Sequence, residues 1–171
     1  MGSAVLLPAG GKNPAIAAPV ARRTGAGCMV MSRRTGRFLF CLRPDDAPSG
    51  GTWSVWGGKG ERGERPEETA IREVFEETGY LHRGELFHLH HMDTRTFSYH
   101  TFLMVAEDEF EPRPSGECAG HAWLPVEKAP SPMHWGLAGL LSDRTAVGII
   151  ARSVERISGR PCSLIPIPYA G

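Results

Sequence analysis

Residues 58–80 read GKGERGERPEETAIREVFEETGY. Pro66 suits the first position of a helix and Gly79 suits its C-terminal stop, so a helix entered from a glycine-rich loop is predicted between them. At about 100° per residue, Glu73, Glu76 and Glu77 fall within one arc flanked by Arg72, while Ile71, Val74 and Phe75 take the opposite arc. One face therefore packs on a core and the other crowds three carboxylates. Like charges at this spacing cost an isolated helix a few tenths of a kcal/mol per pair, so something offsets them. Water and Arg72, four residues before Glu76, are one offset. A hard divalent cation is the other, since it takes oxygen ligands and works with carboxylates plus substrate phosphates. The preceding Gly57-Gly58 pair lets the backbone turn sharply and approach a ligand, and Glu61 and Glu64 add carboxylates before the helix.

This stretch resembles the signature of the Nudix hydrolases, G-x5-E-x7-R-E-U-x-E-E-x-G-U, where U is bulky and apolar. Gly58, Glu64, Arg72, Glu73, Glu76, Glu77 and Gly79 fill all seven fixed positions. Val74 fills the first U, and Tyr80 stands at the second, where Ile, Leu or Val is more usual. The resemblance implies a Nudix-type α/β/α sandwich with a mixed β-sheet, and an enzyme that cleaves the diphosphate of a nucleoside diphosphate joined to another group. It implies that Glu73, Glu76 and Glu77 ligate Mg²⁺ or Mn²⁺ together with the Gly57 carbonyl. Glu73 is also a candidate base, Arg72 orients the carboxylates, and Glu64 supports the loop–helix junction. Family members often place a further glutamate opposite this motif, and Glu117 in Pro114-Ser115-Gly116-Glu117 matches it as metal ligand or general base. One departure is Trp56, which stands where many members carry Pro before the paired glycines. Trp56 is a candidate for stacking on the substrate, with packing as its competing role.

Outward from the motif the chain reads as alternating strands and helices in a single domain, residues 24–158. An Ala-, Pro- and Gly-rich arm, 1–23, precedes it and a proline-bearing tail, 159–171, follows it. GAGCMVMS (25–32) and FLFCL (38–42) form a predicted hairpin around Arg33–Gly36. Trp53–Trp56 reads as one short strand. Further strands are expected at 84–91, 96–106 and 119–124, and helices at 133–141 and 143–157, the last with Ser142 as N-cap.

With 171 residues, 41% of them hydrophobic, the chain is long enough for one buried core. Its formal net charge is zero, which argues against nucleic acid as a partner. The zero hides segregation: residues 1–57 carry seven basic and two acidic side chains, and residues 81–127 carry three and eight. No apolar run approaches the length of a membrane span. The four cysteines are far apart with no CxxC pair, and no signal-peptide pattern is evident, so free thiols in the cytoplasm are expected.

Arg33, Arg34, Arg37 and Arg43 surround the hairpin. Guanidinium groups bind phosphate in a bidentate way, and Arg43 at a strand end is the preferred substrate contact. His88 and His90 share a strand face if the strand is regular, and His134 near a helix start caps the helix or lines the cleft. The resemblance implies a small nucleotide, nucleotide sugar or dinucleotide as substrate. Neither the proline expected of ADP-ribose hydrolases nor the tyrosine spacing expected of dinucleoside polyphosphate hydrolases is present. A non-catalytic nucleotide sensor and an RNA 5′-end pyrophosphohydrolase are the alternatives, and a homodimer rests on family analogy alone.

Overall fold

The central strand, β1 (Arg23–Ser32), is buried from Gly25 to its end, as a strand covered on both faces must be. Its alternate residues divide between two cores: Ala26, Cys28 and Val30 face one, Met29 and Met31 the other. The computed structural model describes residues 22–113 and 116–168. All but the last two residues of the expected N-terminal arm, and the last three of the tail, lie outside them.

The remaining elements are β2 (Phe38–Leu42), β3 (Trp53–Ser54), β4 (Trp56–Lys59), α1 (Pro66–Thr78), β5 (Leu86–Asp93), β6 (Phe97–Ala106), β7 (Gly120–Leu124), α2 (Trp135–Ser142) and α3 (Arg144–Ser158). The strands form one mixed sheet with the path β3-β2-β1-β6-β5. β6 runs parallel to β1 along its whole length, from Arg23 opposite Phe97 to Ser32 opposite Ala106. On its other edge β1 has two partners in succession. β4 pairs antiparallel from Gly25 to Cys28, and β2 pairs at Val30 and Met31. Helix α1 covers one face through Ala70 and Val74, while α2 and α3 cover the other through Leu137, Leu140, Leu141, Ile150 and Val154. The result is the expected α/β/α sandwich.

Several local expectations change. The segment 53–56 is not one strand: it breaks at Val55, so that Trp53 and Ser54 pair with β2 while Trp56 onward pairs with β1. On α1, Phe75 is 45% exposed and Ala70 fills the apolar face instead. The N-cap of α3 is Asp143, whose carboxylate accepts from Thr145 N–H (2.8 Å) and Ala146 N–H (3.2 Å). Ser142 is spent on the end of α2, where its hydroxyl donates to Gly139 O. A bulge between His88 and His90 separates those two rings. His88 meets His100 (3.1 Å), and His90 donates from Nδ1 to Asp143 (2.8 Å).

Candidate active site

The site is built where β4 lies along β1 and hands the chain to α1. Gly57 has φ 149°, and a Cβ there would lie 2.3 Å from Gly27 Cα and 2.6 Å from the Tyr99 hydroxyl. Only glycine lets these backbones approach so closely. At Gly58 a Cβ would lie 2.4 Å from Glu73 Oε2, so the missing side chain is the space that this carboxylate occupies. Glu73 is accordingly 8% exposed although it sits on the charged arc of α1. One turn on, Glu77 Oε2 accepts from the Gly57 N–H (3.0 Å).

Arg72 ties the acidic groups together. Its Nε and Nη2 donate to the two oxygens of Glu64 (2.9 and 3.0 Å), and Nη2 also donates to Lys59 O (3.0 Å). Nη1 donates to Glu73 (2.8 Å) and Glu76 (3.1 Å). Glu64 further accepts from the Thr69 hydroxyl (2.7 Å) and the Glu61 N–H (2.9 Å). These donors, Arg72 first, hold the Glu64 carboxyl down at about 2. Glu64 therefore closes the loop onto the helix, and Glu61 contributes through its backbone while its side chain stays exposed.

The other carboxyls shift the opposite way. Burial, reinforced by the charges of Glu73 and Glu117, pushes Glu77 up to about 8 against the opposing Gly57 N–H. Burial also raises Glu73, which Arg72 counteracts and the charges of Glu76 and Glu117 reinforce. Glu117 thus faces the motif from the loop before β7. It lines, with Glu77, Gly57 and Arg43, a cavity of about 340 Å³. Among the described residues no three His, Cys, Asp or Glu side chains are gathered closely enough to grip a cation, and Glu76 is turned toward Arg72. The donor set still fits a hard cation. Glu73 and Glu77 are carboxylates crowded into a buried corner, where a divalent charge relieves their desolvation and mutual repulsion.

A second, larger cavity of about 480 Å³ adjoins the first and shares Arg43, Ser54, Val55 and Gly57 with it. Phe97, Tyr99, His134 and Trp135 are among its walls. The Phe97 and Trp135 rings meet edge to face at 6.3 Å, and Trp135 is 45% exposed. Lys59 and Trp135 are lining residues that the sequence reading does not single out. A tryptophan directly after a helix-capping histidine is the signal that was there to find. Arg43 lines both cavities, with Nε donating to Pro48 O (3.0 Å).

Trp56 does not. It is 1% exposed, and its Nε1 donates to Leu39 O (3.0 Å) across the gap where β1 changes partner from β4 to β2. The indole plugs the sheet and lines neither cavity, so its substrate-binding role is withdrawn.

Residues 21–143 match the family model of the NUDIX domain. Among solved structures, the fold is similar to a MutT NUDIX hydrolase from Burkholderia pseudomallei, with TM-score 0.60 and 25% identity over 70% of this chain and 95% of that one. It is also similar to the Nudix hydrolase RenU from M. smegmatis, with TM-score 0.59 and 22% identity over 81% of this chain and 84% of that one. An Ap4A hydrolase from C. elegans shares the fold at TM-score 0.51 and 20% identity, over 63% and 82% of the two chains.

Proposed function

We propose, from the premise that this chain belongs to the Nudix hydrolase family, that it uses Mg²⁺ or Mn²⁺ to hydrolyse the diphosphate of a nucleoside diphosphate joined to a further group. Pyrophosphohydrolase activity comes with the family, and the cation and the substrate class are the proposal. The observation that carries it is the burial of Glu73 and Glu77 against Gly57–Gly58, faced by Glu117 and adjoining a cavity of nucleoside size.

In this reading Glu73, Glu76 and Glu77, with the Gly57 carbonyl, hold the cation. A bound divalent cation lowers the pKa of a water and offsets phosphate charge. Arg72 aligns Glu73 and Glu76 through its Nη1, and Glu64 fixes Arg72 from behind. Glu73 is committed to Arg72 and, in this reading, to the cation, so its oxygens hold the site rather than take the proton. Glu117, on the exposed side of the smaller cavity, takes the proton of the attacking water. Arg43 neutralises phosphate oxygens where the two cavities meet, and the nucleoside occupies the aromatic side. The four free thiols suit a cytoplasmic setting.

The test is a substrate panel with product identification: nucleoside triphosphates, ADP-ribose, NADH and diadenosine polyphosphates, each with Mg²⁺ or Mn²⁺. Turnover of at least one is expected. Chelation should abolish it and Glu77→Gln should lower it at least ~100-fold. No turnover across the panel, or a Glu77→Gln variant of undiminished activity, would overturn the reading.

A further inference from the structure

His134 precedes α2 as its N-cap, and its Nδ1 accepts from the Gly136 N–H at 3.1 Å. A backbone N–H only donates, so Nδ1 carries no proton and the neutral ring must carry it on Nε2. Burial, and then the nearby Arg43 charge, press the imidazolium down to about 4, so the ring is neutral at pH 7. Nε2–H has no hydrogen-bond partner among the described residues, and the ring lines the larger cavity beside Trp135 at a centroid distance of 4.8 Å. The helix cap thus locks one tautomer and leaves a free donor on a ring that lines that cavity.

The charged part of the lining has the same polarity. Arg23, Arg43 and Lys59 are donors, and among the described residues no Asp, Glu, Asn or Gln side chain faces the cavity. The chain has no Gln at all, and its single Asn, Asn13, lies outside the described residues. Carboxamides are the side chains that most readily match the paired donor and acceptor of an amino base, and none lines the cavity among the described residues. The side-chain acceptors present are the hydroxyls and His90, whose Nδ1 is already engaged by Asp143.

We propose that His134 is the specificity-determining residue for the base, donating from Nε2–H to a ring oxo group, so that the enzyme favours oxo bases such as hypoxanthine over amino bases such as adenine. The inference rests on the nucleotide reading of the site given above. An oxo oxygen accepts this bond, whereas an exocyclic amino group meets the donor with another donor.

Inosine and adenosine nucleotides differ only at this edge. The test compares ITP with ATP in kcat/KM, and IMP with AMP in calorimetric binding. Wild-type protein should favour inosine by about tenfold, the size of one unshared hydrogen bond, and chiefly in KM because the base is remote from the reacting phosphate. His134→Ser keeps a cap for α2 but is too short to reach a ligand. It should bring the ratio within about twofold while leaving the melting temperature nearly unchanged. His134→Gln places an amide donor near the Nε2 position and should retain part of the preference. A ratio near one in the wild type, or an unaltered preference in His134→Ser, overturns the inference. If neither triphosphate is hydrolysed, the hydrolase reading for these substrates fails while the IMP and AMP affinities still decide the role of His134. If neither monophosphate binds, the inference falls.

Discussion

Glu64→Gln isolates the charge that joins the loop to helix α1. The amide has the shape of the carboxylate, and its oxygen can still accept from Thr69 and the Glu61 N–H. It cannot take both donors of the Arg72 fork, now held at 2.9 and 3.0 Å. The native carboxyl is held at about 2 against an ordinary 4.5, which by linkage corresponds to about 3 kcal/mol at neutral pH. Glu64 and Arg72 remain 14% and 24% exposed, and solvent screening reduces the expected effect to about 1–2 kcal/mol. In a chain of this size that lowers the melting temperature by about 3–6 °C. The sign follows from a depressed folded-state pKa: the contribution is complete above pH 4.5 and disappears as pH falls toward about 2. Melting curves of both proteins at pH 7, 5, 4 and 3, at low ionic strength, should show a gap that narrows at the acidic end. A gap below 1 °C at pH 7, or one of constant size down to pH 3, would mean that the Arg72–Glu64 pair does not hold the junction.

Two further substitutions probe the neighbouring geometry. Gly58→Ala puts a methyl group 2.4 Å from Glu73 Oε2. It should displace that carboxylate, cost about 1–3 kcal/mol of stability and lower kcat at least ~10-fold, and normal kinetics would show that Glu73 need not sit there. Trp56→Phe removes the buried donor to Leu39 O. It should lower stability by about 1–2 kcal/mol in denaturant titration and leave KM alone, whereas a raised KM at unchanged stability would restore Trp56 to the substrate site.

Helix α1 was legible because its ends and its carboxylate spacing are local. Pro66 and Gly79 mark the termini, Gly79 does adopt the left-handed conformation at φ 75°, and the carboxylates lie three and four residues apart. The strands were legible through their alternation. Their order was not, since β1 and β6 pair in parallel across more than 70 residues of sequence. The misreading of Trp56 has the same origin. Its environment is the gap where β1 exchanges one partner for another, which no local pattern encodes. Glu73 was placed on the right arc, but its burial depends on the absent Gly58 side chain on another element.

The segregated charge had a legible existence and an illegible destination. Arg33 pairs with Glu107, Arg34 with Asp108 and Arg37 with Glu109, so the basic hairpin and the acidic stretch that follows β6 neutralise each other at the end of the sheet. Most of these contacts are exposed, and such pairs contribute little stability individually. Their larger consequence is to remove three of the four hairpin arginines from competition for an anion. Arg43 has no carboxylate within 4.0 Å among the described residues, and its one side-chain hydrogen bond goes to a neutral carbonyl. It also stands where the aromatic cavity meets the carboxylate-lined one. A phosphate entering that junction would meet a guanidinium whose charge is not already matched, which is why the proposed substrate contact falls on Arg43 rather than on its neighbours.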